Sequence, residues 1–329
     1  MTRIDPDFLS MKGDTMHAHL LTRYGPDGLE PGSVPERAPA PGEVAIRLDA
    51  IAVNPLDWKI SHGWLAQMIP LALPAVIGSE GAGTVLSVGA DVTDFAVGDR
   101  VAGFFDSGAF AEIAVTRATR LVRIPAGLSI SQAAALPTAA ETATRILGLL
   151  QPEAASTVVV NGAAGAVGSM VTQLLARDGH TVIGTAGAEN HDYVRSLGAS
   201  PIGYGPNLVS DLRRLAVAGI DAGYDTTGHG FIDRVADLVD ARRIVTIADF
   251  AAGAGGAIVA GGDPTRLSIT RAVRDVFDLA ASGEIHVEIA ATYPFEALNE
   301  ALGFSEQGHL RGKVIVAGHD RKPADIGLA

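Results

Sequence analysis

The stretch "VVVNGAAGAVGSMVTQLLA", residues 158–176, constrains the fold most. A buried strand, Val158–Val160, runs into a turn carrying Gly162, Gly165 and Gly168, and a helix opens at about Ala166. Small residues there let backbone amides approach a pyrophosphate, and the helix N-terminus adds partial positive charge. Gly168 permits close packing of helix on strand. The spacing is GxxGxxG rather than GxGxxG, so the strand–turn–helix setting carries the reading more than the glycines do. A plain βα turn with glycines for packing is the alternative. Downstream, "HTVIGTA", "NHDYVRSLGA", "DAGYDTTG", "FIDRVADLVDA" and "RRIVTIADF" alternate apolar strands with amphipathic helices. That alternation predicts a doubly wound parallel sheet covered on both faces.

The flanking sequence has another texture. "MHAHLLTRYG" reads as the first strand, which leaves residues 1–15 as a tail with no apolar signal-peptide core. From about 40 to 125, Val-rich alternating segments separated by Gly, Asp and Pro predict a β-rich, barrel-like domain. "SISQAAALPTAAETATRILGLL" has helical spacing. After about 270, "ITRAVRDVFDLAASGEI", "HVEIAATYP", "FEALNEALGFSEQG" and "GKVIVAG" predict helix, strand, helix and strand returning to the first domain. The expected boundaries are 16–134 with 271–329 for the β-rich unit and 135–270 for the cofactor unit.

The net charge of −12 argues against a nucleic-acid binder, and no run of apolar residues is long enough to span a membrane. A cytoplasmic protein is expected. The absence of cysteine rules out disulfides, thiolate metal sites and a cysteine nucleophile. His17, His19, His229, His309 and His319 show no metal-ligand spacing and are expected to be ordinary histidines.

The strand "HTVIGTA" ends without the carboxylate that would hold an adenosine ribose 2′-hydroxyl. An acid there would repel a 2′-phosphate, so its absence points to NADPH. Thr185, the Ala186 backbone, Asn190 and Tyr204 are the expected neutral grip on that phosphate. The alternative is Glu189 serving as the acid of an NAD site.

Several segments, in order, resemble the medium-chain dehydrogenase/reductase superfamily and its zinc-free quinone oxidoreductase branch. They are "AVNPLDWKI", "IGSEGAGTVLSVGADVTDFAVGDRV", "GAFAEIAV", "AALPTAAETA", "NGAAGAVGSMVTQLLA" and "LRGKVIV". The resemblance implies an α/β chain: a GroES-like catalytic domain around a Rossmann cofactor domain. It also implies NADPH-dependent reduction of a small quinone or enone, as a homodimer. Asn54 and Ser79 stand where zinc alcohol dehydrogenases of the superfamily carry a cysteine and a histidine ligand, so no metal is expected.

The expected cofactor contacts are Thr142, Gly162, Ala164, Gly165, Ala166, Val167, Thr227, Gly228, Ile247, Ala248 and Lys313, besides the adenosine-end residues. Asn54 and Lys59 are the candidate donors to a developing oxyanion, and Asp57 orients its neighbours. A turn in which Asn and Asp merely cap backbone is the alternative for "NPLD". His62, Trp64, Phe104, Phe105 and Phe250 are candidates for an apolar substrate wall, or simply core. The competing functions are a trans-acting enoyl reductase and a non-catalytic NADPH-binding protein.

Overall fold

A computed structural model describes residues 14–261 and 267–327. The expected tail therefore lies outside the described residues up to position 13, and the first strand begins at Thr15. The N-terminal part holds β1 (Thr15–Leu21), β2 (Leu29–Pro35), β3 (Glu43–Val53), α1 (Pro55–Ser61), β4 (Ala75–Val76), β5 (Glu80–Val88), β6 (Arg100–Phe104), β7 (Ile113–Arg117) and β8 (Leu121–Arg123). Then come α2 (Ile130–Ala135) and α3 (Pro137–Leu149). The second part runs β9 (Thr157–Asn161), α4 (Ala166–Arg177), β10 (Thr181–Thr185), α5 (His191–Ser196) and β11 (Ala199–Ile202). It continues with α6 (Leu208–Leu215), β12 (Ala222–Asp225), α7 (Phe231–Val235), β13 (Ile244–Thr246) and β14 (Ile258–Val259). The chain closes with α8 (Arg271–Ala281), β15 (Ile289–Tyr293), α9 (Leu298–Glu306) and β16 (Lys313–Ala317).

Strands β9 to β14 form one parallel sheet in the order β11-β10-β9-β12-β13-β14. Side chains alternate across it. Val158 and Val160 join a core with α3, α4, α5 and α8, whereas Val159 and Ile183 face Leu208, Leu212 and Phe231 of α6 and α7. Both faces are thus covered, which is why these strands read as unbroken apolar runs.

The other large sheet runs β15-β16-β3-β5-β6-β8, with β7 also on β3. Its return strand β16 lies antiparallel to β3, as the closing segment predicts. β3 is buried along almost its whole length, not on alternate residues. It sits inside the sheet with β5 on one side and β7 and β16 on the other. The expected single helix after 130 is two helices: Pro137 opens α3 at its first position, where its missing N–H costs nothing. Ala133, Ala139 and Ala143 of this pair are fully buried, with α2 packed on β3 and β5 and α3 on α4 and α8, where small side chains permit close approach.

Candidate active site

The glycine turn is built to admit a ligand at a helix N-terminus. Gly162 has φ of +86°, and a Cβ there would lie 2.4 Å from Thr227 Cγ2. A Cβ at Gly168 would lie 2.0 Å from the Gly162 carbonyl oxygen, so α4 packs on its turn with no spare room. At Gly165, by contrast, the nearest atom to a Cβ is 3.6 Å away. Gly165 is the N-cap of α4 and gives no side-chain cap, which leaves the N–H groups of Ala166 and Val167 facing outward for an anion. These features fit a dinucleotide pyrophosphate.

Beneath the turn lies a polar row that sequence reasoning missed. Thr185, Asn161, Asp225 and Thr246 are the last residues of β10, β9, β12 and β13, and they pair across the sheet in register. Asn161 Nδ2 donates to Asp225 Oδ1 at 2.8 Å and to Thr227 Oγ1 at 2.9 Å. Thr246 donates to Asp225 Oδ2 at 2.8 Å. The Asp225 carboxylate also accepts the N–H groups of Thr227 and Gly228. This row shapes the loops that carry Thr227, Gly228, Ile247 and Ala248 at the carboxyl edge of the sheet. Its signal in the sequence was a polar residue closing each of four apolar strands.

Two expected phosphate contacts are corrected. Thr185 is fully buried; its hydroxyl donates to Asn161 Oδ1 at 2.6 Å and accepts the Gly162 N–H at 2.9 Å. The Ala186 N–H is taken by the Ile202 carbonyl at 2.9 Å. Asn190 and Tyr204 remain at this end, and burial raises the Tyr204 phenol above its usual pKa. The Glu189 carboxylate is close by, 3.4 Å from Asn190 Nδ2. Arg234, not singled out from sequence, donates to the carbonyls of Tyr204 and Gly205.

A second cluster lies where β3, β5, α3 and β16 meet. Lys313 is buried, and its ammonium donates to Glu80 Oε1 at 2.8 Å and to Asn54 Oδ1 at 2.6 Å. Asn54 Nδ2 donates to Glu80 Oε1 at 2.7 Å and makes a long contact of 3.5 Å with Ser79 Oγ. Glu80 Oε2 accepts the Thr138 N–H at 2.6 Å, which places the carboxylate on the N-terminus of α3. Two expectations change. Lys313 does not reach outward to a cofactor but anchors Asn54. The Asn54 amide points into the protein, so it is not a free oxyanion donor.

Asp57 is buried and accepts the Asn54 N–H at 2.7 Å. Burial, reinforced by the negative charge of Glu80, pushes its carboxyl up to about 7, against the pull of the Asn54 N–H and the Lys313 charge. The folded state therefore holds a proton that the unfolded chain releases near pH 4. Stability is expected to be full below that pH and to fall as pH rises toward 7, by up to roughly 1.4 kcal/mol per pH unit from this group. Urea midpoints between pH 4 and 8 check this, and Asp57→Asn should flatten the profile.

Lys59 is half-buried beside Trp58, 5.3 Å from the ring centroid, and burial lowers its ammonium below the usual value. Thr142 is buried on α3. The five aromatic and imidazole candidates do not form one wall. Phe104 and Phe105 are buried in two different cores, because the end of β6 is covered on both faces. His62 and Trp64 each meet the Trp58 ring edge to face, with His62 Nε2 3.7 Å from Glu306. Phe250 is exposed on a separate short helix. The His319 ring stacks on His17 at 4.0 Å.

The two clusters are joined by consecutive residues. The Gly312 N–H donates to the Ala164 carbonyl of the glycine turn at 3.0 Å, and the next residue is Lys313. One segment thus fixes the glycine turn and the Asn54 cluster side by side.

Residues 40–126 match the alcohol dehydrogenase GroES-like domain and residues 197–316 match the zinc-binding dehydrogenase family. The residues of the second cluster do not fit zinc: an amide and a hydroxyl replace strong ligands, and the Lys313 ammonium already neutralises Glu80. Among the described residues no group of three or more His, Cys, Asp or Glu side chains could hold a metal ion. The chain is 35% identical over 203 residues to a chloroplast envelope quinone oxidoreductase homolog of Arabidopsis thaliana, a match covering 58% of this chain and 62% of the relative. It is 32% identical to the dehydrogenase pigH of Monascus ruber, covering 68% of each chain. The quinone oxidoreductase structure from Coxiella burnetii superposes with a TM-score of 0.81 at 25% identity, covering 92% of this chain and 99% of that one. The chain belongs to the medium-chain dehydrogenase/reductase superfamily, and it spans about three fifths of the length of the quinone oxidoreductase homologs that it resembles.

Proposed function

We propose that this protein uses NADPH to reduce a small quinone or conjugated enone without a metal. The observation that carries this reading is the Gly312–Lys313 segment, which holds the glycine turn beside a cluster whose cation is a lysine. Bound reduced nicotinamide supplies a hydride, which an already electrophilic carbon accepts without Lewis-acid help. In this reading, Ala166 and Val167 hold the pyrophosphate through their N–H groups, with Ala164 shaping the turn. Thr142, Thr227, Gly228, Ile247 and Ala248 line the nicotinamide end. Lys59 faces the substrate, and Asp57 holds the backbone of Asn54.

The cofactor unit is assigned to 135–270 and the GroES-like unit to 16–134 with 271–329. A homodimer in the cytoplasm is part of the same proposal, the dimer on the strength of the family resemblance.

Tyr204 and Asn190 donate to the 2′-phosphate, but the nearby Glu189 carboxylate opposes it. The preference for NADPH over NADH is therefore expected to be narrow, about tenfold in kcat/KM, or about 1.4 kcal/mol. Steady-state oxidation of both cofactors with a panel of quinones, enones and enoyl thioesters tests the reading. Glu189→Gln should widen the ratio in favour of NADPH. Equal use of NADH and NADPH by both proteins would overturn the phosphate assignment, and turnover confined to enoyl thioesters would favour the enoyl reductase alternative.

A further inference from the structure

We propose that the hydroxyls of Ser79 and Thr138 bind the carbonyl oxygen of the substrate and carry its developing negative charge, with Asn54, Glu80 and Lys313 as positioning residues. The assignment rests on the proposed reduction of a conjugated carbonyl. It replaces Asn54 as the oxyanion donor, because both polar ends of the Asn54 amide are spent on Lys313 and Glu80.

Of Asn54, Asp57, Ser79, Glu80 and Lys313, only Ser79 is partly exposed. Its place is rigid: the Ser79 carbonyl accepts the Phe105 N–H at 2.9 Å, and the Gly78 carbonyl accepts that of Ala109 at 3.0 Å. Among the described residues its hydroxyl meets only Asn54 Nδ2. Lys313 polarises that amide from its other end, so the amide hydrogen faces a lone pair of Ser79 and leaves the Ser79 O–H free to donate outward. Thr138 flanks the same carboxylate through its N–H, and its Oγ1 is shielded from solvent with no hydrogen-bond partner. A buried hydroxyl without a partner marks a place where a ligand atom belongs. Threonine on a helix divides between two χ1 wells, so this hydroxyl has a second direction in which to donate.

The reaction balances as follows. Hydride carries two electrons from reduced nicotinamide to the electrophilic carbon, the negative charge moves to the substrate oxygen, and solvent supplies the remaining proton. Ser79 and Thr138 donate hydrogen bonds throughout and transfer nothing.

The test uses Ser79→Ala, Thr138→Val, their double variant and Thr138→Ser. The readouts are NADPH affinity by fluorescence and kcat/KM across quinones of graded electron demand. Each single loss should cost about tenfold and the double about 10²-fold in kcat/KM. NADPH affinity should stay within twofold, and Thr138→Ser should restore most activity. The loss should shrink as electron-withdrawing substituents stabilise the oxyanion, which a merely structural defect would not reproduce. Unchanged kcat/KM in the double variant, or an equal loss across the whole quinone series, overturns this assignment alone. A wild-type protein that binds NADPH but reduces no quinone or enone overturns the proposed function and this assignment with it.

Discussion

Replacing Lys313 by methionine is expected to destabilise the fold by about 3–5 kcal/mol, because Glu80 is left as a fully buried carboxylate without its cation. Asn54 and the α3 N-terminus still donate to that carboxylate, but neither carries a full charge. Glu80→Gln should also destabilise, by leaving the ammonium unpaired. The double variant, Glu80→Gln with Lys313→Met, removes both charges and should recover much of the loss. Urea unfolding of the four proteins gives the coupling directly, expected at about 1–3 kcal/mol. Additive single effects would show that the pair does not act as a unit.

Gly168→Ala is the other large effect. Its Cβ would meet backbone on every side: the Gly162 oxygen at 2.0 Å, its carbon at 2.8 Å and Ala163 Cα at 3.1 Å. No side-chain rotation relieves that clash, so α4 must move off its turn. The expected cost is about 3 kcal/mol of stability, with at least a tenfold loss of NADPH affinity. Gly165→Ala separates the two consequences. A Cβ there fits the protein, and its φ of −72° suits any residue, so stability should stay within about 0.5 kcal/mol. NADPH affinity should nevertheless fall, since the methyl group occupies the approach to the α4 N-terminus. Thermal melting and fluorescence titration of both variants separate these outcomes. Intact binding by Gly165→Ala would place the pyrophosphate elsewhere.

The parallel sheet and its glycine turn were legible because both arise from local pattern. Val158–Val160 is too apolar for anything but a strand buried on both faces, and Gly162, Gly165 and Gly168 follow it at once. The Asn54 cluster was only half legible. Asn54 and Asp57 announce a capped turn, but Glu80 and Lys313 are 233 positions apart, and only the pairing of β3 with both β5 and β16 brings them together. The polar row under the glycine turn was hidden similarly, since Asn161, Thr185, Asp225 and Thr246 become neighbours only through strand register. Thr185 was misread because a hydroxyl at a strand end suits a phosphate and a backbone N–H equally well. Phe104 and Phe105 fall to the core alternative: Phe104 ends β6, Phe105 follows it, and each is buried in a different core, so one surface does not hold both.

The proposed function requires hydride to pass directly from NADPH held on the glycine turn to an electrophilic carbon. NADPH deuterated on one face of C4, incubated with a conjugated enone, tests it most directly. One of the two deuterated epimers should place its label at the β-carbon of the saturated product, and the other should keep its label on the oxidised cofactor. Label lost to water, or a product formed without label from either epimer, would contradict the account.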